Sequence, residues 1–176
     1  MEIANQNEAE SNAGDAAHPS TEALWDQVLT AGARVYGVAT DDAHHYDDAE
    51  EVRRGGAPAF VGDLGWVMVR AEKDARSIRE ALRRGDFYSS TGVELARVEV
   101  EGGRLVVEIA GGTASHEISF IGTGGRRLAT IRGARASFAL GDAEVGYLRA
   151  VVRDAEDRRA WVQPVWIAPR GAAAPR

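Results

Sequence analysis

A chain of 176 residues, 44% apolar and 27% charged, has an ordinary globular composition and the length for one domain or two small ones. It has no cysteine, which excludes disulfides, thiolate metal sites and thiol nucleophiles together. Any metal must be held by Asp, Glu and the four histidines His18, His44, His45 and His116. The net charge of −6 is uneven: residues 1–92 carry 17 acids against 9 basic side chains, residues 93–176 carry 10 against 12. Neither part offers the concentrated basic surface of a nucleic-acid binder. No apolar run is long enough for a membrane span, and the first residues lack the basic and apolar regions of a secretory signal, so a cytoplasmic location is expected.

Residues 1–19 are small and polar and read, taken alone, as a tail. From Ser20 the pattern is helical. Ser20 is a good N-cap, Glu22 suits the positive helix start, and Leu24, Trp25, Val28 and Leu29 make an apolar stripe ended by Gly32. Residues 34–39 follow as a short buried strand, and its carboxyl end delivers Thr40-Asp41-Asp42-Ala43-His44-His45-Tyr46. Alternation would point Asp42 and His44 to one side, where a carboxylate and an imidazole suit Zn, Mn or Fe rather than Ca. Asp41 and His45 are placed to orient those ligands through hydrogen bonds, the plain alternative being a solvated polar loop.

Residues 47–65, acidic and then glycine-containing, read as a long irregular loop. A strand is expected over 65–70. A helix capped by Asp74 then runs to Arg84 with the stripe Ala75, Ile78, Ala81 and Leu82, stopped by Gly85. Residues 87–92 lead out as an extended segment and turn. Arg70 and Lys73 read as surface charges, Arg70 being within reach of an anionic substrate. The Ser89-Ser90-Thr91 run has no identifiable base partner and reads as a turn rather than a nucleophile.

After Gly92 the pattern changes to seven short alternating runs between turn signals, at 96–101, 104–110, 116–121, 128–131, 136–140, 147–153 and 159–167. Gly102-Gly103 marks a tight hairpin. This spacing predicts a β-sandwich of immunoglobulin-like size. Gly122-Thr123-Gly124-Gly125-Arg126-Arg127 lacks the strand-to-helix setting of a phosphate loop and reads as a hairpin turn. Trp161 and Trp166, five apart, should face opposite sides of a regular strand unless Pro164 bends it. The alanine-rich end is expected to fray.

Several of these segments together resemble the C-terminal portion of the PHP family (polymerase and histidinol phosphatase-like) of metal-dependent phosphoesterases, in the branch with an appended β-sandwich. Glu2-Ile3-Ala4-Asn5 is similar to a late barrel strand of that family. Leu24-Trp25-Asp26-Gln27-Val28-Leu29, followed by Gly37-Val38-Ala39-Thr40-Asp41-Asp42-Ala43-His44, is similar to its last metal motif. Residues 65–70 and 78–92 resemble the segment closing the barrel domain, and residues 147–150 and 160–167 the final sandwich strands. The resemblance implies a multi-domain α+β chain: a partial β/α barrel segment at 1–92, a β-sandwich at 93–168 and a disordered tail at 169–176. It implies Asp42 and His44 as metal ligands, Mn, Zn or Fe as cofactor in the complete enzyme, and a small phosphoester or related ester as substrate, with no nucleic acid or membrane partner. The family's opening His-x-His and its other early ligands have no counterpart here. The chain is therefore expected to be inactive without a missing N-terminal barrel part, and to cover its apolar αβ face with that part or with a second copy. The sandwich, residues 93–168, is expected to be the independently stable piece, and no catalytic side chain is assigned. The competing reading is a non-catalytic β-sandwich binding module joined to a remnant hydrolase segment.

Overall fold

The computed structural model describes residues 1–6 and 12–168; the tail expected at 169–176 lies outside them. The chain opens with strand β1 (Glu2–Asn5), within the stretch whose composition alone suggested a tail. Helix α1 (Thr21–Thr30) follows, capped by Ser20, whose hydroxyl accepts from the Ala23 N–H at 3.1 Å. Strand β2 (Val38–Thr40) pairs with β1 in parallel, so β1, α1 and β2 form a strand–helix–strand unit. The expected loop after β2 contains a short helix α2 (Ala49–Arg54), with Glu50 and Glu51 in its first turn and Arg53 and Arg54 in its last. Strand β3 (Trp66–Val69) leads to helix α3 (Ala75–Arg84). Asp74 accepts the N–H groups of Arg76 and Ser77 at 3.0 Å, and Gly85 closes α3 at φ 79°, where a side chain would be strained. Of the predicted α3 stripe only Ala81 is buried, and Ile78 remains 36% exposed.

The remaining strands are β4 (Phe87–Ser90), β5 (Leu95–Glu101), β6 (Arg104–Ile109), β7 (Glu117–Gly122), β8 (Arg126–Arg132), β9 (Arg135–Ala139), β10 (Gly146–Arg153) and β11 (Arg159–Ile167). They do not form one set. An antiparallel six-stranded sheet runs β3-β4-β11-β10-β7-β8, and a three-stranded sheet runs β5-β6-β9. The larger sheet therefore takes two strands from before residue 93 and four from after it. No barrel closes among the described residues; β1 and β2 make a separate two-stranded parallel sheet.

The larger sheet is covered on both faces, and β10 shows how. Leu148, Ala150 and Val152 pack with Leu105, Val107 and Ala136 of the three-stranded sheet, while Tyr147 and Val151 turn to Ile3, Trp25, Leu29 and Ala39 of the αβ unit. A strand between two cores loses the polar alternation of a one-sided strand and reads as a continuous apolar run. On β11, Val162 and Val165 face Ala150 and Leu148, so three steps on β11 span two on β10. The extra residue, at Gln163-Pro164, is a β-bulge. It reverses the alternation, so Trp161 and Trp166 both reach the core beneath α1 rather than opposite faces.

Candidate functional site

The parallel pair β1–β2 directs both carboxyl ends the same way, and the Gln6 N–H donates to the Thr40 carbonyl at 3.0 Å where they finish. Regular strand structure stops at Thr40, two residues before Asp42. Asp42 itself has φ 52°, a left-handed conformation that short polar side chains tolerate. The alternation expected to align Asp42 with His44 therefore does not extend to them. A tight loop orders them instead. The N–H groups of His44 and His45 both donate to the Phe60 carbonyl at 3.0 Å. His44 Nδ1 lies 2.5 Å from the Asp42 carbonyl oxygen, and the Phe60 N–H donates to His45 Nδ1 at 3.1 Å. The Phe60 ring stacks on both imidazoles, with centroids 5.3 and 5.7 Å away.

Asp41 faces away from a ligand role. Its carboxylate accepts the N–H groups of Leu64 and Gly65 at 2.7 and 2.6 Å on Oδ1, and that of Asp63 at 3.1 Å on Oδ2. Asp42 and His44 are solvent-exposed, whereas Asp41 and His45 are half-buried, and the Asp41 and His45 side chains bond to backbone N–H groups of Asp63 to Gly65 and of Phe60 rather than to Asp42 or His44. Among the described residues no group of three His, Asp or Glu side chains is arranged to hold a metal ion.

The remaining candidates from the sequence go elsewhere. Ser89 and Ser90 are fully buried and donate to the carbonyls of Gly37 and Val93 at 2.8 and 2.7 Å. In the glycine-rich turn after β7, the Gly124 and Gly125 N–H groups are taken by the Thr30 and Tyr147 hydroxyl oxygens at 2.8 and 3.1 Å. Those donors are not open to a phosphate. Arg70 donates to the Val98 carbonyl, bridging the two larger sheets.

Sequence reasoning missed the main buried polar cluster. Arg149, wholly buried on β10, meets the Asp26 carboxylate through Nε (2.8 Å) and Nη2 (2.6 Å), and Glu22 through Nη2 (2.9 Å). Its guanidinium lies 4.8 Å over the Trp25 ring. Tyr147 donates to Asp26 at 2.7 Å, and Trp161 Nε1 donates to Glu22 at 3.0 Å. Burial pushes the Tyr147 phenol up, and the Asp26 carboxylate adds to this, reaching about 12. Burial also pushes Glu22 up, but Arg149, the Trp161 N–H and Arg159 outweigh it and hold the carboxyl below its ordinary value. The signal was an arginine inside an apolar strand, opposite a helix carrying acids four residues apart beside Trp25. A second clamp joins Gln163 to Gly37: the amide accepts the Gly37 N–H at 2.9 Å and donates to its carbonyl at 2.8 Å. A cleft of about 640 Å³ borders α1 and the larger sheet, lined by Thr21, Glu22, Arg127, Arg159 and Trp161; neither Asp42 nor His44 lines it.

The described residues define an α+β protein, mostly strands with three helices, with an antiparallel six-stranded sheet and a small parallel sheet. No family model, curated protein or solved structure matches the chain. No helix among the described residues is long and apolar enough to cross a membrane.

Proposed function

We propose that this chain is the C-terminal part of a PHP-type metal-dependent phosphoesterase, a partial barrel segment followed by an immunoglobulin-like sandwich. The observation that supports this reading best is the parallel strand–helix–strand unit. Its carboxyl ends deliver Asp42 and His44, the position where open α/β sheets collect their ligands. The donor set fits a divalent cation in kind, one carboxylate and one imidazole on an exposed loop, suited to Mn, Zn or Fe. Asp42 and His44 would supply two of the donors, and upstream strands would supply the rest. A divalent cation held there would act as a Lewis acid on a phosphoryl oxygen. The chain's own contribution is to fix the loop: Asp41 and Phe60 hold its backbone, and the clamp of Gln163 on Gly37 fixes the approach of β2. The substrate on this reading is a small phosphoester or related ester, and the completing surface is a missing barrel part or a second copy.

One observation favours the second reading, a non-catalytic module with a remnant hydrolase segment. The outward side of β1, where a further barrel strand would pair, is already satisfied. The Asn12 side-chain amide accepts from the Asn5 N–H at 2.8 Å and donates to its carbonyl at 2.6 Å, and the Thr21 hydroxyl donates to the Ile3 carbonyl at 2.6 Å. A hydrolysis assay with an aryl phosphate and added Mn²⁺ or Zn²⁺ separates the two. The hydrolase reading expects no turnover by this chain alone. It expects turnover when upstream barrel strands are supplied, and loss of that turnover in Asp42→Ala and His44→Ala. Turnover that survives both substitutions would refute it.

A further inference from the structure

We infer that Asp41 is a positioning residue that holds His44 and His45 in opposite tautomers, so that only His44 presents a bare Nε2. A neutral imidazole has one N–H and one lone pair. The Asp42 carbonyl, 2.5 Å from His44 Nδ1, can only accept, so the proton sits on Nδ1 and the His44 Nε2 lone pair is unprotonated. The Phe60 N–H, 3.1 Å from His45 Nδ1, can only donate, so the His45 proton sits on Nε2. Two adjacent histidines that the sequence treats alike are thus different: one offers a nitrogen to a cation, and the other offers a hydrogen-bond donor.

The His44 assignment rests on the Asp42 carbonyl in its own turn; the His45 assignment depends on where Phe60 stands. Its carbonyl is fixed by the two histidine N–H groups, and its ring stacks on both imidazoles. The far end of the same loop is tied down by Asp41, whose carboxylate accepts three consecutive N–H groups from Asp63 to Gly65. The loop passes so close that a Cβ on Gly62 (φ 105°) would lie 3.3 Å from Asp41 Oδ2. Without the carboxylate three N–H groups lose their acceptor, the loop is released, and the Phe60 N–H leaves His45. The His45 ring then exchanges its proton between the two nitrogens, and the opposition of the two tautomers is lost. Use of the His44 nitrogen for a divalent cation rests on the hydrolase reading above; the tautomers do not.

The test is the long-range ¹H–¹⁵N correlation spectrum of the metal-free chain labelled at histidine nitrogens, at about pH 8, where ordinary imidazoles are neutral. The expected spectrum has protonated Nδ1 and bare Nε2 for His44, and the reverse for His45. In Asp41→Ala the split collapses because the His45 nitrogen shifts average, while His44 keeps its protonated Nδ1 and the backbone resonances of the six-stranded sheet stay in place. Asp41→Asn, which keeps an acceptor oxygen for Leu64 and Gly65, retains most of the split and serves where Asp41→Ala does not fold. The same tautomer on both histidines of the unmodified chain overturns the assignment. A full split in folded Asp41→Ala, or no movement at all in Asp41→Asn, overturns the anchoring role. The hydrolase reading is judged separately, by turnover once upstream barrel strands are supplied: a split without such turnover upholds the tautomers and counts against that reading alone.

Discussion

Asp26→Ala tests the account of the buried cluster most directly. The substitution removes the carboxylate that takes two charge-assisted hydrogen bonds from Arg149 and one from Tyr147. Arg149 has no exposure through which water can replace that partner, and Glu22 alone is left facing it. Breaking one side of a buried ion pair costs about 3–5 kcal/mol, most of it from the charge left behind. Set against a total stability of about 5–15 kcal/mol, that is about a fifth or more of the folding free energy. With a urea slope of about 2–3 kcal/mol per molar, the unfolding midpoint should fall by roughly 1–2.5 M. Tryptophan fluorescence is a suitable readout, because Trp25 and Trp161 both touch the cluster. Replacing both partners, Asp26→Leu with Arg149→Met, should cost less than Asp26→Ala alone, since no buried guanidinium is stranded. A loss below about 1 kcal/mol in Asp26→Ala, or a double variant as unstable as the sum of its single changes, would refute the reasoning.

Glu22 gives a pH dependence of defined sign. Its carboxyl is held low in the folded chain, so its contribution is present above the unfolded value and is lost as pH falls through the folded one. Denaturant titrations below about pH 5 should show the unmodified chain losing stability more steeply than Glu22→Gln. Gly37→Ala should lower the melting temperature, because a Cβ there would sit 2.7 Å from Ile3 Cδ1 and 3.0 Å from the Trp25 ring. Such overpacking costs about 1–3 kcal/mol, and an unchanged melting curve would contradict the close approach. Excised residues 93–168 would lack β3, β4 and α1, exposing one face of the larger sheet and stranding Arg149. The excised piece should show no cooperative melting, whereas a native-like transition would mean that the three-stranded sheet alone suffices to hold the core.

What the sequence determined by itself lies within a few residues of each signal. Ser20, Asp74 and Gly85 end helices because a hydroxyl, a carboxylate or a left-handed glycine satisfies backbone groups of the adjacent turn. Gly102 and Gly103, both at positive φ, make the β5–β6 hairpin for the same local reason. Seven strands were legible after Gly92 because alternation is a property of a single strand. Their partners were not. That β3 and β4 join β11, while β5, β6 and β9 separate into a second sheet, depends on which apolar faces meet once the chain collapses. The Gln163-Pro164 bulge that turns Trp166 toward α1 is a register difference between two strands and has no meaning on one alone. The loop bearing Asp42 and His44 was recognisable from its residue types. Its shape was not, because Asp41, His44 and His45 are held by groups at Phe60 to Gly65, about twenty residues further along the chain. Arg149 is the sharpest case. An arginine reads as surface by composition, and only the packing of α1 across β10 brings Glu22 and Asp26 close enough to offset the loss of water around its charge.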